Sequence, residues 1–227
     1  MLSLKKWRCV IGTALLLDMD ELTIGCMNRK NVENEIINER FLGTIFGQAV
    51  GDALGLSTEF MSKQEVDRFY PNGIEDYSQI VQDDHRRRWQ RGDWTDDTDM
   101  MLCILDSFVA CQKVDILDIA RRFKEWMMNG GMGIGRHTYC LDDEKSMGYT
   151  LRTLGAALWA YWHATSYKEG ILKIVLSGGD ADTNAAVADA ILGAKFGICH
   201  IPDEWKNGLL YASMLHNKVQ NLYAMLR

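Results

Sequence analysis

Proline is almost absent from this 227-residue chain, which has two, and no low-complexity segment interrupts it. Proline is the strongest helix breaker, so the composition leaves room for one helix after another. Cysteine is sparse and scattered, at positions 9, 26, 103, 111, 140 and 199. With no C-x-x-C pair and no dense framework, reduced thiols in a cytoplasmic protein are expected. Surplus positive charge is missing too: 25 Lys and Arg face 31 Asp and Glu, for a formal net charge of −6. Nothing electrostatic therefore points to a nucleic acid or an anionic membrane as partner. The one basic run, His85-Arg86-Arg87-Arg88 with Arg91, is short and polar in its surroundings, and is expected to be a solvated loop. No apolar run approaches the roughly 20 residues of a membrane span. Near the start, Lys5, Lys6 and Arg8 precede an apolar run over 10–17, in the manner of a secretory signal. Asp18, Asp20 and Glu21 follow, with no clear small-residue cleavage site, so residues 1–33 are read as an appendage that need not be ordered.

What is present is helical periodicity. Apolar residues three or four apart predict helices over about 35–56, 97–111, 116–128, 146–164, 167–176 and 183–196. Asn129-Gly130-Gly131 ends the third, and Pro202 opens the closing helical segments. The segment 97–111 is apolar almost all round and is expected at the centre. No run alternates with period two. One all-α domain over 34–227 follows, a compact multi-helix orthogonal bundle. Within its first helix, Gly43, Gly47, Gly51 and Gly55 recur at every fourth position. Glycine weakens a helix by up to ~1 kcal/mol per residue, so four in a stripe imply close backbone approach by another helix or a ligand.

Two acidic stretches stand out, Thr95-Asp96-Asp97-Thr98-Asp99 and Asp180-Ala181-Asp182-Thr183, each at the entry to a helix. Thr and Asp are favoured caps there. One cap per helix would suffice, however, and three carboxylates in five residues exceed that need. A hard divalent cation explains the excess, because Mg²⁺ takes carboxylate, hydroxyl and water oxygens.

Three motifs, in order, resemble the ADP-ribosylglycohydrolases. They are Gly43-Thr44-Ile45-Phe46-Gly47-Gln48-Ala49-Val50-Gly51-Asp52-Ala53-Leu54-Gly55 with Glu59 after it, Trp94-Thr95-Asp96-Asp97-Thr98, and Ser177-Gly178-Gly179-Asp180-Ala181-Asp182-Thr183-Asn184-Ala185-Ala186. The resemblance implies an all-α fold with a metal site at helix N-termini. Thr95, Asp96, Asp97, Asp180, Asp182 and Thr183 would hold two Mg²⁺ ions, with Mn²⁺ as the alternative metal. Glu59, Asp96 and Asp97 would be catalytic, and Asp52, Gly133 and Gly135 would contact substrate. The implied reaction is hydrolysis of the glycosidic bond between ADP-ribose and an acceptor side chain, on an ADP-ribosylated protein or a small ADP-ribosyl compound. The pattern departs from the family after Gly135: Arg136-His137-Thr138 runs almost directly into Met147-Gly148-Tyr149, without the family's longer middle. Lost helices would bare apolar faces and one wall of the cleft, which an oligomer could cover. A non-catalytic ADP-ribose-binding or structural member and a metal-dependent phosphohydrolase are the competing readings.

Overall fold

The computed structural model describes residues 29–131 and 147–226. The expected site residues Gly133 and Gly135, together with His137 and the appendage up to residue 28, lie outside the described residues. Among the described residues nine α-helices follow in order: α1 Arg29–Gly55, α2 Lys63–Phe69, α3 Asp96–Cys111, α4 Ile116–Met128, α5 Met147–His163, α6 Tyr167–Val175, α7 Ala181–Phe196, α8 Asp203–Gly208 and α9 Ala212–Leu226. Among the described residues there is no strand, only an isolated bridge between Glu59 and Gly179.

The glycine stripe explains the centre of the molecule. A Cβ on Gly43 would lie 2.3 Å from the Gly193 carbonyl oxygen, one on Gly47 2.3 Å from that of Asp189, and one on Gly51 2.4 Å from that of Ala185. As the α1 positions rise by four, their α7 partners fall by four. The helices are therefore antiparallel and touch backbone to backbone. The alanines of α7 serve the same contact: Ala181, Ala185 and Ala188 are fully buried, where a larger side chain would part the axes. The close approach is met by a helix.

That pairing also settles which helices are central. Helix α3 was expected in the middle because it is apolar almost all round. Instead α1 and α7 hold the centre, and α3 lies at the edge with Ile104 44% exposed and only Thr98, Leu102 and Ser107 buried. Helices α4 and α5 also turn apolar side chains outward, among them Ile116, Leu117, Trp159 and Trp162. The core fills around α1 from Leu42, Phe46, Val50, Ile171, Leu192 and Trp205, the last donating its indole N–H to the Glu75 carbonyl at 2.7 Å.

The first helix begins at Arg29, six residues ahead of the expected start, whereas the limits of the helices from α3 to α7 fall within two residues of the expected ones. One polar group sits oddly within the core. Asp189 on α7 is fully buried, and burial pushes its carboxyl well above the usual range although the Tyr167 hydroxyl beside it partly offsets the rise.

Candidate active site

Helix α1 ends at Gly55 because α7 begins against it: a Cβ there would fall 2.4 Å from the Asp182 Cα. The end of the first motif is thus pressed on the start of the third. The second motif arrives by hydrogen bonds. Asp52, fully buried in the last turn of α1, accepts from the Thr95 backbone N–H at 3.0 Å, the Thr95 hydroxyl at 2.7 Å and the Thr98 N–H at 2.9 Å. Gln48, one turn earlier, donates to the Asp97 carbonyl at 3.2 Å.

These bonds dispose of capping as the reason for the acidic stretches. Helices α2, α4 and α6 have ordinary side-chain caps in Ser62, Asp115 and Ser166. The N-cap residues of α3 and α7, Thr95 and Asp180, make no side-chain cap bond. In α3 that work falls to Asp52, reaching across from another helix to the free N–H groups of the first turn. The carboxylates of the acidic motifs are left for something else.

Three of them converge. Asp52, Asp97 and Asp182 each place a carboxylate oxygen within 4.8 Å of the others. Burial and the Asp97 charge raise Asp52 to about 8. Asp97 rises to about 6 through burial and the charges of Asp180 and Glu59, against a hydrogen bond from Thr183. Asp182 rises to about 9 through burial and the charges of Glu59, Asp52 and Asp97, and its Oδ1 is buried without a hydrogen-bond partner. Such crowding lacks positive charge, and an orphaned carboxylate oxygen aimed into three acids is what a hard cation satisfies. The donor set fits a divalent metal ion.

The expected site residues are therefore brought together unevenly. Asp97 and Asp182 are in the cluster, with Asp180 and Thr183 acting on Asp97 and Thr95 bonded to Asp52. Asp96 is half-buried and outside the three converging carboxylates. Asp52, expected against substrate, is fully buried and seats the second motif through both its oxygens while one of them also lies among the three converging carboxylates.

Glu59 stands beside the cluster, 8% exposed, on a loop held from two sides. The Phe60 N–H donates to the Gly179 carbonyl at 2.7 Å and the Gly179 N–H to the Met61 carbonyl at 2.9 Å, so the loop is clasped to the third motif. Phe60 has φ of 61°, a left-handed conformation that a phenylalanine adopts only when its surroundings impose it. On the other side lies the basic run, where Arg87, Arg88 and Arg91 are exposed as expected of a solvated loop but Arg86 is not. Arg86 is 3% exposed; its guanidinium donates to the carbonyls of Leu56, Ser57 and Glu59 and pairs with Asp83. His85 Nε2 lies 2.6 Å from Glu59 Oε2. Charge count alone hid this, because Arg86 pairs with main-chain oxygens that no sequence pattern displays.

A cleft of about 380 Å³ opens beside Thr95, walled by Trp89, Trp94, Trp126 and Tyr211, with Gly130 and Gly131 at its rim. The indoles of Trp94 and Trp126 both donate to Asp99, at 2.9 and 2.8 Å. This aromatic wall was not anticipated, since its members come from three separate segments.

The sequence pattern of the ADP-ribosylglycohydrolase family matches residues 33–143 and 136–227. The chain belongs to that family. An ADP-ribosylarginine hydrolase of Serratia proteamaculans is 36% identical over 84 residues, which is 37% of this chain and 23% of that protein. The chain thus spans less than a quarter of that relative. The ADP-ribosyl-[dinitrogen reductase] glycohydrolase of Rhodospirillum rubrum is 23% identical over 279 residues, covering 76% of this chain and 91% of its own length. That alignment is longer than the chain itself, so this family member lacks a sizeable stretch that the relative has. A solved chain described as an ADP-ribosylglycohydrolase-related protein complex superposes with a TM-score of 0.63 at 21% identity, over 84% of this chain and 99% of that one. Among the described residues no helix is long and apolar enough to cross a membrane.

Proposed function

We propose that this ADP-ribosylglycohydrolase family member is a Mg²⁺-dependent hydrolase of the glycosidic bond between ADP-ribose and an acceptor, with ADP-ribosylarginine the first acceptor to test. The observation that carries the reading is the meeting of three motifs at two helix N-termini, where Asp52, Asp97 and Asp182 crowd together beside Glu59. Asp97 and Asp182 would hold the metal, with Asp96, Asp180 and the hydroxyls of Thr95 and Thr183 completing the donors for a pair of ions. Bound there, Mg²⁺ supplies the positive charge that grips ribose hydroxyls and orients water. Asp52 keeps Thr95 and Thr98 in place, and Gln48 holds the Asp97 carbonyl. Glu59 takes a proton from the attacking water as its oxygen bonds to C1″ of the ribose. The bond from C1″ to the acceptor nitrogen or oxygen breaks, and the acceptor leaves with the proton that Glu59 took from the water. The aromatic cleft beside Thr95 offers flat apolar faces on which a base or sugar could stack. Relatives named as hydrolases of ADP-ribosyl linkages support the chemistry.

The deciding experiment is turnover of ADP-ribosylated arginine and serine peptides by the full chain with Mg²⁺. Release of ADP-ribose is the expected result. Binding of ADP-ribose with no cleavage of either linkage would instead make the protein a non-catalytic member.

The acidic cluster also sets a pH dependence that needs no substrate. Asp97, Asp52 and Asp182 have folded-state values of about 6, 8 and 9, all above their ordinary 3.8. The folded state then holds protons that the unfolded chain has shed. Their contribution to stability is intact below pH 3.8 and is lost as pH rises toward those folded values. The metal-free protein should accordingly melt lower at pH 8 than at pH 5. A divalent ion replaces the protons, so Mg²⁺ at about 100 times its Kd should add ~2.7 kcal/mol at pH 8. That corresponds to a rise of roughly 5–10 °C in Tm for a domain of this size. At pH 5 the protons compete and the shift should be small. Equal shifts at both pH values would count against metal binding at this cluster.

A further inference from the structure

We propose that His85 is a positioning residue for Glu59: its Nε2–H holds the carboxylate toward the acidic cluster, and Arg88 fixes the tautomer that makes this bond. The inference rests on the reading of Glu59 as the proton acceptor. The problem it answers is electrostatic. The Glu59 carboxylate faces Asp97 and Asp182, both of which feel its charge, and that repulsion favours any rotamer that swings it away. The main chain of the loop is secured by Arg86 and Gly179, but neither touches the Glu59 carboxylate. Among the described residues, His85 is the side chain hydrogen-bonded to it.

The imidazole is itself held on every side. Its ring centroid lies 5.1 Å from that of Phe60 and 5.3 Å from that of Trp89. The strained backbone of Phe60 thus places a ring against the histidine that holds its neighbour. Arg88 Nη2 donates to His85 Nδ1, and Arg88 Nε donates to the His85 carbonyl at 2.9 Å. The guanidinium is flattened over Trp89, 4.7 Å from the ring centroid. Arginine has only donors, so Nδ1 must be the accepting nitrogen. A neutral ring whose Nδ1 accepts carries its proton on Nε2, and the hydrogen bond at one ring nitrogen thereby sets the role of the other. The Nε2–H then points at Glu59 Oε2, 2.6 Å away. Trp89 also walls the aromatic cleft, so the support of Glu59 is continuous with the wall beside Thr95.

Two measurements on the full chain test this. Nitrogen-15 spectra of the histidine side chains should show His85 as the Nε2–H tautomer in the wild type, and Arg88→Met should loosen that preference. In steady-state hydrolysis with Mg²⁺, His85→Leu should lower kcat by roughly 10- to 100-fold, the usual cost of losing a group that orients a reacting one, with little change in KM. His85→Gln, which keeps an N–H donor, should recover most of that loss. The Mg²⁺-induced Tm shift should be the same in all three proteins, as it would not be if His85 merely held the fold. An Nδ1–H tautomer in the wild type, an unchanged kcat in His85→Leu, or a glutamine variant no better than the leucine one would overturn the proposal. If the wild type cleaves no ADP-ribosyl substrate, the functional reading fails instead, and the tautomer still decides the fate of this one.

Discussion

Asp182→Asn is expected to make the metal-free protein more stable at pH 8 and, at the same time, deaf to Mg²⁺. The two effects share one cause. Asp182 is 5% exposed, has a buried oxygen without a hydrogen-bond partner, and is raised to about 9. At pH 8 its folded state must hold a proton that the unfolded chain gives up readily, and each unit of such a shift costs about 1.36 kcal/mol. Asparagine has nothing to titrate, so its metal-free form should gain on the order of a few kcal/mol at pH 8 and almost nothing near pH 4. It also lacks the charge that a hard cation needs. The Mg²⁺-induced Tm rise should vanish, and hydrolysis should fall on the order of 10³-fold, the several kcal/mol that such an ion supplies. Melting curves at pH 4 and pH 8, each with and without Mg²⁺, check both halves. A variant that is destabilised at pH 8, or that still responds to the ion, would remove Asp182 from the proposed ligand set. The pairing Asp180→Ala with Asp182→Ala should behave alike toward Mg²⁺.

Gly47→Ala should cost the protein much of its stability, although local propensity points the other way. In an isolated helix, alanine would stabilise by about 0.8–1.0 kcal/mol over glycine. Here its methyl would sit 2.3 Å from the Asp189 carbonyl oxygen and 2.9 Å from the carbonyl carbon, where no side chain can give way because the obstacle is backbone. Helices α1 and α7 would have to separate, and overpacking of that kind costs roughly 1–3 kcal/mol or more. Overpacking wins on magnitude. A net loss of about 1–2 kcal/mol, and a fall in Tm of roughly 2–8 °C, is expected by chemical or thermal unfolding. The damage should reach the site, because the same contact sets α1 against the start of α7, where Asp52 and Asp182 meet. Gly155→Ala in α5, where a methyl would meet nothing within 4 Å, is the control and should be neutral or slightly stabilising. Equal effects at the two positions would mean that the glycine stripe is not a contact surface.

Much of this was legible in one dimension because its physics is local or periodic. Helix limits from α3 to α7 followed from apolar spacing. The crowding at Thr95–Asp99 and Asp180–Thr183 could be seen as too much negative charge for two caps. The stripe of four glycines announced a close approach without naming the partner. Other features had no local signature. Arg86 looked like one charge in a basic run, and its burial depends on three carbonyls left free where α1 ends. Helix α3 looked central from its apolar content, yet centrality belongs to the pair that can approach nearest, and only α1 and α7 have facing glycines and alanines.

The sequence alone determined an all-helical chain with three acidic motifs in a family's order, since helical periodicity and residue chemistry are properties of neighbours along the chain. Only the tertiary structure decided what those motifs do to one another. Asp52 turned out to be the buried anchor of Thr95 and Thr98, 43 and 46 residues away. His85 turned out to be bonded to Glu59, 26 residues earlier. Charge repulsion, desolvation and hydrogen bonding act over a few ångströms of space, and distances of that kind are set by which helices pack, not by position in the chain.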